Sequence, residues 1–360
     1  MTTLALVLVL LGQAEPVVLK GGRIVPVAGP DIESGMLLIA DGKVRAVGQA
    51  LAVPPGAQVL ELPKSSWILP GFIDAHSHLG SAFDVEESAE ALTPEARAVE
   101  AFTSRHPDAR AAMSSGVTLV ALSPGNGNVV GGQVGVVRLS GDRYDLALLK
   151  SAVALKASIG FEALRTDREP TSRTGAVALL RTRLSDAAAP LPMLPIFLDA
   201  TFPAEVESAL DLAKASGRPM VLVHARPTAE QMQRLAASKI PVAVEPLTTS
   251  DRRDTLELPG RLAQAGVRFA FVSDAPAIPE ELLRVSASFA VKYGLSRETA
   301  LRALTTVPAE LLGLQEERGS IGEGKAADLV VWSGDPLSLA SEVLVVMIDG
   351  RVTWRKAEKP

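Results

Sequence analysis

The chain holds four histidines, His76, His78, His106 and His224, and no cysteine. A metal site built from it must therefore use imidazole, carboxylate or a modified lysine. Two of those histidines stand one residue apart in Asp74-Ala75-His76-Ser77-His78, behind the apolar pair Phe72-Ile73, in the stretch WILPGFIDAHSHLG. On a strand, alternate side chains share a face, so His76 and His78 would point to one side and form half of a metal site. Other polar residues also follow strongly apolar runs. Lys156 lies late in SAVALKASIG, Asp199 ends LPIFLDAT, His224 ends PMVLVHA, and Asp274 ends VRFAFVSDAP. Imidazole and carboxylate together suit zinc, and manganese, iron or nickel would also be accepted. His106, in TSRHPDARAAM, reads as a surface residue.

These residues need a scaffold that brings strand ends together. Between residues 64 and 318, eight short apolar runs alternate with helical patterns such as Ala204–Ser216, Ala229–Ser238, Leu258–Ala265 and Pro279–Tyr293. Repeated strand–helix units imply a parallel sheet. Their number and span fit a (β/α)8 TIM-like barrel, typically about 250 residues, whose reactive groups collect at the C-terminal ends of the strands. A doubly wound sheet is disfavoured because no Gly-rich phosphate turn follows the first strand. The Gly-rich stretch Gly125–Gly132 follows the second strand instead and reads as a loop over the barrel mouth. Residues 16–63 and 319–360 each read as short strands, with Asp41-Gly42 and Asp349-Gly350 as hairpin turns. Neither is long enough to stand alone, and together they predict one small β-sandwich.

The motif PGFIDAHSH, its β-rich lead-in and the closing GSIGEGKAADLVVWSGDPL resemble the amidohydrolase superfamily, in particular its imidazolonepropionase-like bacterial members. The resemblance spans residues 17–355. It implies a metal-dependent hydrolase of carbon–nitrogen bonds other than peptide bonds, acting on a small molecule such as a cyclic amide. His76, His78 and His224 match metal ligands of the family, and Asp274 matches a ligand that also serves as general acid–base. Lys156 looks like the lysine that carries a carbamate bridging two metals. The fifth strand departs from the pattern, with Asp199 where a histidine is common, so Asp199 would supply an oxygen ligand. Glu245, in VAVEPL, and Arg173, in REPTSRTGAVALL, are candidates for substrate contact. Two other readings stay open: a prolidase-type dipeptidase, and a barrel that has lost turnover and binds a ligand or a related amidohydrolase.

Composition narrows the partners. With 47% hydrophobic residues in 360, the chain can bury a large core. A net charge of −5 without a basic block argues against nucleic acid and against an anionic membrane surface. The apolar run Leu4–Leu11, followed by Gly12 and Ala14, has the length of a signal-peptide core, with cleavage placed before Glu15. That predicts a periplasmic or secreted protein with no membrane anchor after processing. A cytoplasmic protein follows if the segment is not a signal, for it lacks Lys and Arg ahead of the apolar run. A homo-oligomer is compatible with all of this.

Overall fold

The computed structural model describes residues 15–81, 85–103, 105–140 and 147–357. The expected signal segment lies outside these residues but for Glu15. Strands β1 (Val17–Lys20), β3 (Met36–Ala40), β4 (Lys43–Gly48) and β5 (Gln58–Glu61) form one sheet in the order β4-β3-β1-β5. A second sheet combines the two ends of the chain. Its strands are β2 (Arg23–Ile24), β6 (Trp67–Pro70), β15 (Leu329–Trp332), β16 (Val343–Ile348) and β17 (Arg351–Arg355), in the order β17-β16-β15-β6-β2. Leu19, Leu37, Ile39 and Val44 of the first sheet and Ile68, Leu329, Val331 and Met347 of the second are buried in one shared core. That shared core makes the pair a sandwich.

Trp67–Pro70 reads in sequence as part of the first barrel strand, yet it pairs antiparallel with β15 in the sandwich. The barrel begins one residue later. Gly71 is the joint: its N–H donates to Asp328 O at 2.9 Å, and a Cβ there would fall onto the Thr118 side chain. The histidine strand is thereby welded to the small domain at its start.

The barrel sheet has eight strands, one for each apolar run read from the sequence. They are β7 (Phe72–Ser77), β8 (Val117–Leu122), β9 (Val130–Arg138), β10 (Leu148–Ser158), β11 (Ile196–Asp199), β12 (Met220–Val223), β13 (Val242–Val244) and β14 (Phe269–Phe271), in that spatial order. The sheet is not wholly parallel, because β9 runs antiparallel to both β8 and β10. Leu122 to Val130 and Arg138 to Leu148 are too close in sequence for a parallel crossover, which needs about a dozen residues or more. From β10 onward every pairing is parallel, with helices Pro203–Ser216, Ala229–Ala237 and Leu258–Gln264 as crossovers. The ring closes between its ends through His78 N–H to Ala275 O (2.7 Å) and Asp274 N–H to His76 O (3.4 Å). Closure therefore occurs where the candidate residues sit.

Inside the ring, Ile73, Ala75, Leu119, Ala121, Val134, Ala154, Phe197, Val221, Ala243, Ala270 and Val272 fill the interior. Val307, Leu311 and Leu312, on and just after helix Thr306–Leu311, join that core and plug one end. Because side chains alternate along a strand, the residue two places beyond an interior apolar one returns to the interior. Ala154, Phe197 and Val272 thus lead to Lys156, Asp199 and Asp274. No helix among the described residues is long and apolar enough to cross a membrane.

A charged joint ties the sandwich to the barrel. Arg318 pairs with Asp328 and with Asp349 Oδ1 at 2.8 Å, while Arg138 of β9 reaches Asp349 Oδ2 at 2.6 Å. The side chains of Arg318 and Asp328 are only 5% and 7% exposed. Removing one partner of a buried pair leaves the other charge uncompensated, at a cost of about 3 kcal/mol. Arg318→Ala should lower unfolding stability by that amount in urea titration. A change below about 0.5 kcal/mol would show that the joint contributes nothing net.

Candidate metal centre

The centre is built at the C-terminal ends of β7, β10, β11, β12 and β14. Ligand atoms of His76, His224 and Asp274 all lie within 4.8 Å of one another. The His76 ring centroid is 5.3 Å from that of His78 and 5.4 Å from that of His224, both in edge-on geometry. His224 (φ 60°) and Asp274 (φ 55°) both adopt the left-handed backbone region, which non-glycine residues seldom occupy. Such conformations persist where surrounding structure over-determines them, and they concentrate at functional sites.

Second partners fix each imidazole. His76 Nδ1 is 2.8 Å from Asp274 Oδ1 and His76 Nε2 is 2.9 Å from Lys156 Nζ. Burial, and next the Lys156 charge, pull the His76 imidazolium down to about 3, so the ring is neutral. It donates from Nδ1 and accepts the lysine at Nε2. His78 Nδ1–H donates to Ser123 O at 2.7 Å, which leaves the Nε2 lone pair available. Burial lowers its pKa as well. Lys156 is fully buried, and that burial depresses its ammonium against the pull of Asp199 and Asp274.

His224 behaves in the opposite way. Its Nδ1 is 2.9 Å from Asp199 Oδ1 and its Nε2 is 2.9 Å from Asp274 Oδ2. Burial alone would lower its pKa, but the two carboxylates outweigh burial and raise it to about 10. The same pairing holds Asp274 well below the usual carboxylate range despite burial, and Asp199 below it too. The close approach of Nε2 to Asp274 is an ion pair without hydrogen-bond alignment. A proton stands here where a cation would satisfy imidazole and carboxylate together. Two imidazoles, a carboxylate and a third imidazole with a free lone pair fit a divalent metal.

Asp199, expected as an oxygen ligand, engages both oxygens with protein groups: Oδ1 with His224, and Oδ2 with the Ser158 hydroxyl at 3.2 Å. Glu245 follows β13, lines the cavity over the centre and accepts from Arg226 Nε at 2.6 Å. Arg173 begins helix Arg173–Ser185, pairs with Glu205 at 3.4 Å, and is not among the lining residues. His106 caps helix Pro107–Ser114, with Nδ1 accepting from Asp108 N–H at 3.3 Å, away from the centre.

The cavity has a volume of about 500 Å³. Sequence reasoning missed Glu86, Asn126, Glu162 and Thr201 in its wall. It also missed the support beneath. Asp74 accepts from His76 N–H and Ser273 N–H, each at 3.2 Å, and Ser273 Oγ lies against Asp74 Oδ2 and 2.9 Å from Glu280 Oε2. One hydroxyl proton cannot serve two carboxylates, so one acid is protonated and donates to Ser273 Oγ. Burial raises Asp74 to about 7, against the Ser273 hydrogen bond, and burial followed by the Asp74 charge raises Glu280 well above its ordinary value.

Residues 195–354 match the amidohydrolase family. The crystal structure of an amidohydrolase from Thermotoga maritima superposes with a TM-score of 0.87 at 30% identity, over 94% of this chain and 100% of that one. The chain belongs to the amidohydrolase family. An imidazolonepropionase of Caulobacter vibrioides is 26% identical over 90% of this chain and 94% of its own length. The amidohydrolase tasK of Hapsidospora irregularis is 24% identical over 89% of this chain, which spans only 39% of that longer protein. The barrel with its sandwich is thus the family architecture, and the family usually binds a divalent metal.

The raised acids have a consequence for stability. A carboxyl whose folded pKa exceeds its unfolded value binds more protons when folded, so folding weakens as pH rises between the two values. For Asp74 that window runs from about 4 to about 7, with a slope of at most ~1.4 kcal/mol per pH unit for one proton. Glu280→Gln removes the second acid and should flatten this slope, measured by urea unfolding at pH 5, 6 and 7. An unchanged slope would show that the pair does not hold the proton.

Proposed function

We propose that this amidohydrolase is a divalent-metal-dependent hydrolase of carbon–nitrogen bonds other than peptide bonds, with cyclic amides as its substrates. The observation that carries the reading is the convergence of His76, His224 and Asp274 at the base of an open cavity, with the two imidazoles against the two oxygens of Asp274. The likeness to imidazolonepropionases supports a cyclic amide. His76, His78, His224 and Asp274 would hold the metal, with zinc our choice of ion. A carbamate on Lys156 would add oxygen ligands and admit a second ion. In this reading Asp199 orients His224 and Ser158 orients Asp199, the carboxylate–histidine arrangement that fixes ring tautomer and ligand basicity.

The chemistry such a metal supplies when bound is Lewis acidity, which polarises a carbonyl and acidifies water. The protein supplies the rest. Asp274, held ionised by His76 and His224, accepts the proton of the attacking water and returns it to the leaving nitrogen. His78, locked by Ser123, keeps its ring from rotating out of the centre. The loop from Pro124 to Asn128, held by Glu86 and by Arg168 through Asn128 Oδ1 (2.6 Å), walls one side of the cavity.

The test is metal content by mass spectrometry on chelator-free protein, with a turnover screen of lactams, cyclic imides and Xaa-Pro dipeptides. We expect one or two ions per chain, loss of metal in His76→Ala, and hydrolysis of a cyclic member of the set. Absence of metal after reconstitution would sink the reading in favour of a barrel that only binds.

A further inference from the structure

We infer that Thr201 is a substrate-contacting residue, whose hydroxyl donates a hydrogen bond to an acceptor on the substrate other than the carbonyl that reacts. The word substrate rests on the hydrolase reading above; the evidence for the contact is separate. Thr201 stands two places beyond Asp199 and lines the cavity. The chain keeps to its neighbour on the way there, with Ala200 N–H on Val223 O at 3.2 Å and Arg226 N–H on Thr201 O at 2.8 Å. Side-chain alternation therefore returns Thr201 to the interior face that Phe197 and Asp199 share.

The protein uses the backbone of Thr201 on both sides and leaves its side chain unused. The N–H groups of Thr201 and Phe202 donate to Glu205 Oε2 at 2.9 and 3.0 Å. Glu205 is only 1% exposed, and its other oxygen faces Arg173 Nε at 3.4 Å. Bonding the Phe202 N–H is what a glutamate three places into a helix ordinarily does for the capping residue. The further bond to Thr201 fixes the cavity wall, as a site does that holds its contact residues in place before a ligand arrives. The Thr201 hydroxyl meets no hydrogen-bonding group among the described residues, and its oxygen is accessible, unlike the sealed Asn126 Oδ1. The composition of the wall gives that hydroxyl its direction. The carboxylates of Glu86, Glu162 and Glu245 supply acceptors, and Pro246, Ala277 and Ile278 are apolar. A hydroxyl can give or accept, and beside so many acceptors the role left for it is donor. The substrate class narrows accordingly to cyclic amides that carry a second carbonyl.

The experiment titrates two rings of the same size, δ-valerolactam with one carbonyl and glutarimide with two, into protein supplied with Zn²⁺. Affinity is read calorimetrically, and as kcat/KM for a ring that is turned over. Glutarimide should be favoured about fivefold, the worth of one neutral hydrogen bond. The preference should disappear in Thr201→Val, which keeps the shape and loses the hydroxyl. It should return in Thr201→Ser, with metal content equal in all three proteins. Equal affinities in the wild type, binding of neither ring, a preference that survives Thr201→Val, or one that Thr201→Ser fails to restore would each overturn the inference. Turnover of both rings in a ratio that Thr201→Val leaves unchanged would overturn it while the hydrolase reading stands. A Thr201-dependent binding preference with no turnover of any amide would do the reverse.

Discussion

Asp274→Asn should lower kcat by about 10³- to 10⁴-fold on whichever amide the screen yields, the upper range for losing a positioned general base. Two features of the centre set this expectation. The carboxylate is kept ionised by the imidazoles on both its oxygens, so it is ready to accept a proton at neutral pH. It follows β14 with a left-handed backbone and lies against His76 and His224 at once. An asparagine keeps this shape and one acceptor oxygen but has no affinity for a proton. The variant also removes a ligand atom, so metal content must be measured beside the kinetics. A large loss of kcat at retained metal assigns proton transfer to Asp274, whereas loss that follows metal content assigns it to ligation. Turnover within tenfold of wild type at full metal occupancy would remove Asp274 from the mechanism.

Much of this centre could be read from the sequence because a barrel converts local pattern into position. Each apolar run is a buried strand, and the polar residue that ends it must emerge at the mouth. Lys156, Asp199, His224 and Asp274 were readable on that ground alone, and the helix limits fell within a few residues for the same reason. What could not be read depends on contacts between distant strands. Ser273 touches Asp74 across 199 positions, and no local period signals that. Glu280, in Pro279-Glu280-Glu281, looks like an acidic lead into a helix, yet it is buried under the centre. Asp199 reads as an oxygen ligand from its place at a strand end, and nothing local signals its contacts with His224 and Ser158. The reversed direction of β9 was implicit in the short connections on either side, where no crossover helix fits. Trp67–Pro70 reads as barrel strand because its apolar run continues through Gly71, and its partner, β15, comes from the far end of the chain.

Metal affinity should rise about tenfold per pH unit between pH 6.5 and 8.5, measured for Zn²⁺ against a competing chelator in CO₂-depleted buffer. The metal-free protein holds a proton on His224, whose pKa is raised to about 10 by Asp274 and Asp199. The unfolded value is about 6.5. By linkage that proton stabilises the metal-free fold fully below pH 6.5, and its contribution is lost as pH rises through 10. A metal must displace it, so each unit of pH below 10 removes a factor of ten from the competition. His76 adds nothing to this dependence, since its folded pKa of about 3 leaves it neutral throughout the range. One proton, rather than two, should therefore be released by the histidine pair per ion bound, read calorimetrically from buffers of different ionisation enthalpy. Depleting CO₂ keeps carbamate formation on Lys156 from adding protons of its own. His224→Gln should abolish the pH dependence together with most of the affinity. A wild-type affinity that is flat with pH, with no proton released, would mean that His224 is not the group the metal replaces, and the centre would have to be rebuilt around His76 and His78.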